Sequence, residues 1–340
     1  MSYLELEEFF NSVSKEVNPI MRELLTQNVD CSNRNIVSYQ ASTGGKRLRP
    51  ALAVATCKMF RGEMGDIIYP AAGLEILHNY SLIIDDIVDD SNLRRGEPTL
   101  WFKFGRAIAE IVSIDYSAAI FEGANRSKHP KDLSSLFTRT MKILADGEIL
   151  DLLFEQLQRK DEPYITANQH KEITEEDYFK MVKRKTAELI KASCEVGGLV
   201  AGAKKEQIEL LRKYGFKLGI AFQIKDDILD IFGEQKVFGK KLGKDIEEGK
   251  LGNIIVLLAF KEFSSEEKRK FMEIINGEEK KPKDISQAID LINKTDALAG
   301  ARKIGEENVL EAKKSLSSLP QNKWNDILRT IAEFVLEREK

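Results

Sequence analysis

Four aspartates, Asp85, Asp86, Asp89 and Asp90, fall within six residues of the stretch SLIIDDIVDDSNLRRG at 81–96, and two arginines follow them. Like charges this close repel, so a folded chain keeps them only where something cationic sits among them. The stretch QIKDDILDIFG at 223–233 repeats Asp-Asp-x-x-Asp in a similar frame of isoleucine and leucine. At about 100° per helical residue, Asp85 and Asp89 share one face, as do Asp226 and Asp230. Each pair is a clamp of oxygen ligands with no cysteine or histidine beside it, which suits a hard cation. Mg²⁺ in particular takes a few carboxylates plus oxygens of a substrate phosphate. A charge run is ordinarily solvated surface, but Ile83, Ile84, Ile87 and Val88 around the first cluster, and Ile224, Ile228 and Leu229 around the second, anchor both in a core.

A metal held this way needs an anionic substrate, and basic residues supply the complementary half. Lys46, Arg47 and Arg49 follow Gly44-Gly45; Arg94 and Arg95 follow the first cluster; Lys183, Arg184 and Lys185 precede Thr186; Lys240, Lys241, Lys244 and Lys250 crowd one loop. Singly such clusters are solvated surface. Beside two acidic clamps they point to diphosphate groups, which guanidinium forks bind through paired oxygens. His78 lies seven residues before Asp85, about 20° from it around a helix, so a substrate contact and an ordinary core position are both open to it. His129 and His170 fall in expected loops.

Positioning these groups requires helices. Leu74, Leu77, Ser81, Ile84 and Val88, and later Leu211, Tyr214, Leu218 and Phe222, recur at helical spacing, while alternating strand patterns are nearly absent. The reading is an all-α protein of about ten or more helices, a single domain over residues 1–340. Prolines 50, 70, 98, 130 and 163 are expected at turns, and loops at 123–132, 159–170, 233–250 and 276–284.

The chain has 340 residues, 42% hydrophobic and 31% charged, enough for a sizeable core and unlike a disordered segment. A formal net charge of −3 argues against nucleic acid as a partner. Three scattered cysteines, Cys31, Cys57 and Cys194, give neither a disulfide framework nor zinc spacing and point to the cytoplasm. The amino terminus does not read as a signal peptide, and the longest apolar run, IIVLLAF at 254–260, is too short for an integral membrane segment.

In this order the residues resemble the trans-isoprenyl diphosphate synthase, or polyprenyl synthetase, family, which includes the farnesyl and geranylgeranyl diphosphate synthases. GGKRLRP at 44–50 is followed by Glu75-x-x-His78, Asp85 to Gly96, Lys185-Thr186, Phe222 to Asp230, and a lysine-rich loop from Gly239 to Lys250, all six in the family's sequence. The resemblance implies a large helical bundle around a central apolar cavity, and catalysis by Asp85, Asp86, Asp89, Arg94, Lys185, Thr186, Gln223, Asp226, Asp227 and Asp230. It implies that Asp85, Asp89 and Asp226 hold three Mg²⁺ ions against an allylic diphosphate, with Asp86, Asp227, Asp230 and Gln223 in support. Arg94, Lys185, Lys240 or Lys241, and Lys250 would bind that diphosphate. Lys46, Arg49, His78 and Arg95 would bind isopentenyl diphosphate. The allylic carbon–oxygen bond would ionise, the isopentenyl double bond would attack, and pyrophosphate would take the proton; no protein nucleophile stands out. A homodimer is also implied.

The family sets product length largely with the residues four and five before the first cluster, here Ser81 and Tyr80. A small residue with an aromatic below it resembles archaeal geranylgeranyl diphosphate synthases, with farnesyl and geranylfarnesyl diphosphate as alternative products. A terpene cyclase and a non-catalytic subunit of a heteromeric synthase fit less well, because the second Asp-Asp-x-x-Asp and the basic set are intact. Departures from the family pattern are Ile84, Ile114-Asp115 in place of Gly-Asp, and Lys250-Leu251-Gly252-Asn253 in place of Gly-Lys-x-Thr. Helix geometry puts Ser81 one turn under Asp85 but Tyr80 about 140° from it, so an ordinary core aromatic is the competing role for Tyr80. Tyr80→Ala is expected to lengthen the product; unchanged length in an extension assay would remove Tyr80 as the pocket floor.

Overall fold

A computed structural model of the chain describes residues 2–155, 159, 161–233, 243–277 and 280–338. Helices of eight or more residues among them are α1 (Tyr3–Thr26), α2 (Leu48–Met59), α3 (Met64–Val88), α4 (Arg106–Asn125), α5 (Pro130–Leu153), α6 (Glu175–Val182), α7 (Glu188–Val200), α8 (Lys205–Phe232), α9 (Ile254–Glu262), α10 (Ser265–Ile275), α11 (Pro282–Ile292), α12 (Ala297–Ser315) and α13 (Lys323–Glu337). The all-α expectation holds. The extended pairing among the described residues is a two-residue hairpin, Leu93–Arg94 with Glu97–Pro98, and a single bridge between Glu155 and Lys250.

The helix starts follow from local chemistry. Ser2 with Glu5, Thr174 with Asp177, and Ser264 with Glu267 form reciprocal caps that satisfy otherwise orphaned N–H groups at the starts of α1, α6 and α10. Asn253 caps α9 by accepting from the Ile255 N–H at 2.9 Å. Its departure from the family's threonine therefore preserves a side-chain oxygen where the helix needs one.

Prolines 130 and 163 stand at the first position of their helices, but Pro50 and Pro70, expected at turns, lie inside helices instead. Pro50 sits in the first turn of α2, where its missing N–H has no intrahelical acceptor to lose. Pro70 breaks the ladder inside α3, and the burial of that helix offsets the loss. The expected loop at 159–170 contains a short helix, Pro163–Asn168, and that at 233–250 another, Lys244–Glu247.

The chain divides into two compact units. One comprises Met1–Lys142, Leu189–Phe216 and Ala312–Phe334, the other Ile143–Glu188, Lys217–Glu311 and Val335–Lys340. In the first, α3 packs against α1, α2 and α4. By length and a mean hydropathy of 1.2 its best 18-residue window would qualify as a membrane span, but 72% of that window is buried within the protein. Its apolarity is spent on packing.

The π turn Lys183–Ala187, which lies in the second unit, joins α6 to α7 in place of continuous α-helix. Two glycines make room for it. A Cβ on Gly147 of α5 would stand 2.4 Å from the Lys185 nitrogen, and one on Gly219 of α8 would stand 2.4 Å from the Ala187 Cα. No side chain fits at either contact. Gly219→Ala should therefore cost about 1–3 kcal/mol of overpacking, read as a lower urea midpoint; an unchanged midpoint would contradict this close approach.

Candidate active site

In the first unit, the helix that carries the first acidic motif ends within it. The last residue of α3 is Val88, and the Asp89 N–H still bonds back to the Asp85 carbonyl at 2.8 Å, so the two remain one turn apart. Both are half-buried. Asp86 is 1% exposed, and its Oδ1 accepts from Nε and Nη2 of Arg94, each at 2.7 Å. Asp90 pairs with Arg106 at 2.7 Å.

The hairpin explains how adjacent arginines separate. Arg95 and Gly96 both have positive φ, 56° and 83°, the signature of a tight I′ turn between the paired residues Arg94 and Glu97. Arg94 turns to Asp86, whereas Nη1 of Arg95 donates to the Gly44 carbonyl, in the GGKRLRP segment. Arg49 stands in the first turn of α2, and the Lys46 amine lies 4.8 Å from the centre of the Phe334 ring. Of that basic set, Arg47 is withdrawn from any ligand. It is 4% exposed and donates to Asn18, the Ala41 and Gly44 carbonyls, and Glu75 at 3.1 Å. A buried pair of this kind costs about 3–5 kcal/mol when one partner is removed. Glu75 of the Glu-x-x-His segment thus holds the loop that precedes α2.

His78 feels burial first, then the charges of Arg49, Arg95, Arg94 and Arg47, and together these hold it well below the usual imidazole range. It is neutral at pH 7. The Ser81 hydroxyl is spent on the His78 carbonyl at 2.9 Å, and Tyr80 is half-buried on the same helix.

In the second unit, the π turn places Lys185 and Thr186 against two helices. Lys185 reaches Glu148 at 2.8 Å and Asp151 at 2.7 Å, both on α5. Thr186 donates to Oε1 of Gln223 at 2.7 Å, and Nε2 of Gln223 donates to Oδ1 of Asp227 at 2.9 Å. The other oxygen of Asp227 accepts from Tyr178 at 2.8 Å and from the Ile254 N–H at 2.9 Å. Despite these donors, burial and the neighbouring Asp245 push Asp227 up to about 8. Asp230 accepts from the Lys244 and Asp245 N–H groups at 3.1 and 3.3 Å; burial and the Asp245 charge raise it well above the carboxylate range. Asp226 is partly open, with 36% of its side chain exposed.

Lys250 is 8% exposed and lies 3.1 Å from Glu248, 3.5 Å from Glu155 and 3.7 Å from Asp151. Burial would raise Asp151, but the amines of Lys185 and Lys250 bring it down to about 2. Lys240 and Lys241 lie outside the described residues. Sequence reasoning missed Glu148, Asp151 and Tyr178. The spacing Glu148-x-x-Asp151 on one helix face was a legible signal; Tyr178, an isolated tyrosine, offered none.

Whether these residues suit a divalent cation is tested by their donor chemistry. Among the described residues no group of three or more His, Cys, Asp or Glu side chains is placed to hold a metal alone. Mg²⁺ sites commonly supply one or two carboxylates and take the remaining oxygens from water and phosphate. The half-buried pair Asp85 and Asp89, and the partly open Asp226, fit that pattern.

Comparison with known proteins agrees with the fold and with the family resemblance. The sequence pattern of the polyprenyl synthetase family matches residues 32–292. The chain is 33% identical to geranylgeranyl diphosphate synthase of Saccharolobus solfataricus over the whole of both chains. It is 30% identical to octaprenyl diphosphate synthase of Escherichia coli, over 95% of each. Geranylgeranyl pyrophosphate synthetase from Pyrococcus horikoshii superposes with a TM-score of 0.88 at 30% identity, over 99% of this chain and 100% of that one. A Caulobacter crescentus polyprenyl synthase, complexed with calcium and isoprenyl diphosphate, also gives 0.88, at 28% identity over 100% of this chain and 98% of that one. With its family pattern spanning most of the chain and its motifs in the family's order, the chain belongs to the polyprenyl synthetases and is a trans-prenyltransferase.

Proposed function

We propose that the chain condenses isopentenyl diphosphate head to tail with an allylic diphosphate, releases pyrophosphate, and stops at geranylgeranyl diphosphate. The observation that carries this reading is the shared construction of the two acidic motifs. In each, the second aspartate is buried and locked, Asp86 by Arg94 and Asp227 by Tyr178, the Ile254 N–H and Gln223. The first aspartate, Asp85 or Asp226, stays partly exposed. Asp85, Asp89 and Asp226 hold Mg²⁺, three ions in all, and bound Mg²⁺ supplies Lewis-acid stabilisation of the charge that develops on the leaving diphosphate. The calcium and isoprenyl diphosphate bound to the Caulobacter relative support a divalent ion with that class of substrate.

The chain's own groups do the rest. Arg94 and Lys185, with Lys240 or Lys241, bind the allylic diphosphate. Lys46, Arg49 and Arg95 bind that of isopentenyl diphosphate. His78, neutral among arginines, donates an N–H to a diphosphate oxygen without adding charge. Lys250, held among three carboxylates, serves as their counter-ion. In the reaction, the allylic carbon–oxygen bond breaks, a carbon–carbon bond forms to the isopentenyl double bond, and one proton leaves to pyrophosphate. The relatives named for geranylgeranyl diphosphate support the product, with Tyr80 and Ser81 as its gauge.

The partner subunit is a second copy, seated on α4, where Ile108, Ile111 and Ile114 form a stripe at 37%, 63% and 71% exposure. The departure at Ile114 thus adds to an apolar face that a solitary chain would leave in water. Three cysteines without a disulfide favour the cytoplasm.

Purified protein with Mg²⁺, labelled isopentenyl diphosphate and an allylic starter should give geranylgeranyl diphosphate, and Asp85→Asn or Asp226→Asn should lower kcat by about 10²-fold or more. Cyclised hydrocarbon, or no turnover, would overturn the reading. Sedimentation should give a dimer that Ile111→Glu with Ile114→Glu converts to monomer; an unaffected dimer would move the interface elsewhere.

A further inference from the structure

The second acidic motif has a cation that lies far from it in sequence. Arg338 follows the last residue of α13, and its Nη2 donates to Oδ1 of Asp226 at 2.7 Å and to the Phe222 carbonyl at 3.0 Å. Its Nε donates to the Val335 carbonyl at 3.3 Å, and the guanidinium lies 3.8 Å from the centre of the Phe222 ring. The arginine side chain is 9% exposed, against 36% for the aspartate. All four residues belong to the same unit.

The end of α13 is seated rather than loose. A Cβ on Gly305 of α12 would stand 3.0 Å from Leu336 and 3.6 Å from Ile224, so Leu336 closes onto a glycine beside the residue two positions before Asp226. That packing delivers Arg338 to a fixed place. A guanidinium is suited to it, because a planar cation can stack on a ring while donating in its own plane to two acceptors.

Asp226 has two oxygens, and the geometry separates them. Oδ1 is tethered to Arg338, while Oδ2 has no hydrogen-bond partner among the described residues. A carboxylate tied at one oxygen is oriented at the other, which is how outer partners commonly aim a metal ligand.

We propose that Arg338 is a positioning residue for Asp226: by holding Oδ1 from the end of α13 it presents Oδ2 to the divalent cation that accompanies the diphosphate. This rests on Asp226 being a metal ligand, as the proposed function has it. Asp227 and Asp230 are already committed to internal donors, which leaves Asp226 as the member of the motif whose direction needs setting.

The test is Mn²⁺ titration, followed by calorimetry and electron paramagnetic resonance in the presence of inorganic pyrophosphate, on the wild-type chain and on R338Q, R338K, D226N and the double variant R338Q/D226N. R338Q should weaken Mn²⁺ about tenfold or more, and R338K should recover only part of that. The KM for metal in turnover should rise more than kcat falls. In the D226N background, R338Q should change nothing further. Unchanged affinity in R338Q overturns the proposal, and so does tighter binding, which would make Arg338 a competitor of the metal. If R338Q does not fold, F222L, which removes the stacking surface but keeps every hydrogen-bonding group, should weaken Mn²⁺ in the same direction; unchanged affinity in F222L then overturns it. Equal binding by wild type and D226N would instead remove Asp226 as a ligand, a failure of the underlying reading that is distinct from loss in D226N without loss in R338Q.

Discussion

Carboxylates set beside one another in a folded interior must be compensated one by one, and most of the polar architecture follows from that constraint. Glu75 is answered by Arg47, Asp86 by Arg94, Asp151 by Lys185 and Lys250, and Asp227 by a tyrosine, an amide and a backbone N–H. Compensation sorts the acidic residues into those locked by internal donors, such as Asp86 and Asp227, and those that stay partly exposed, such as Asp85 and Asp226. Asp86 and Asp227 occupy the same place in two motifs distant in sequence, and they are 1% and 3% exposed. Their repetition in the sequence reflects a structural demand as much as a chemical one.

The π turn meets a related demand in the second unit. One extra residue in the helical path lets Lys185 and Thr186, adjacent in sequence, engage different helices, the lysine with α5 and the threonine with α8. Gly147 and Gly219 clear the space on either side. A single local irregularity thus links a basic group, a hydroxyl and an acidic motif into one hydrogen-bonded set, in keeping with the frequent association of π turns with functional sites.

What could be read from the sequence was what repeats at short range. Helical spacing placed α3 and α8, and the doubled Asp-Asp-x-x-Asp, with the basic segments in order, identified the family. What escaped were relations between residues far apart. Arg47 looks like its neighbours Lys46 and Arg49, and partners from distant parts of the sequence, Glu75 and Asn18 among them, make it internal. Arg338 stands 112 residues from Asp226, with nothing local to announce it. Pro70 reads as a turn because its cost is local, while the burial that offsets the cost is not.

The hairpin after the first motif carries one more consequence. Because its two central residues, Arg95 and Gly96, have positive φ, the chain reverses there, and Arg94 and Arg95 go to different addresses, the Asp86 carboxylate and the Gly44 carbonyl. Handedness, rather than residue identity, decides which arginine goes where. Lengthening that turn by one residue would leave Arg94 in its strand but carry Arg95 away from the Gly44 carbonyl. The spacing between motif and turn is therefore as much a part of the site as the side chains it carries.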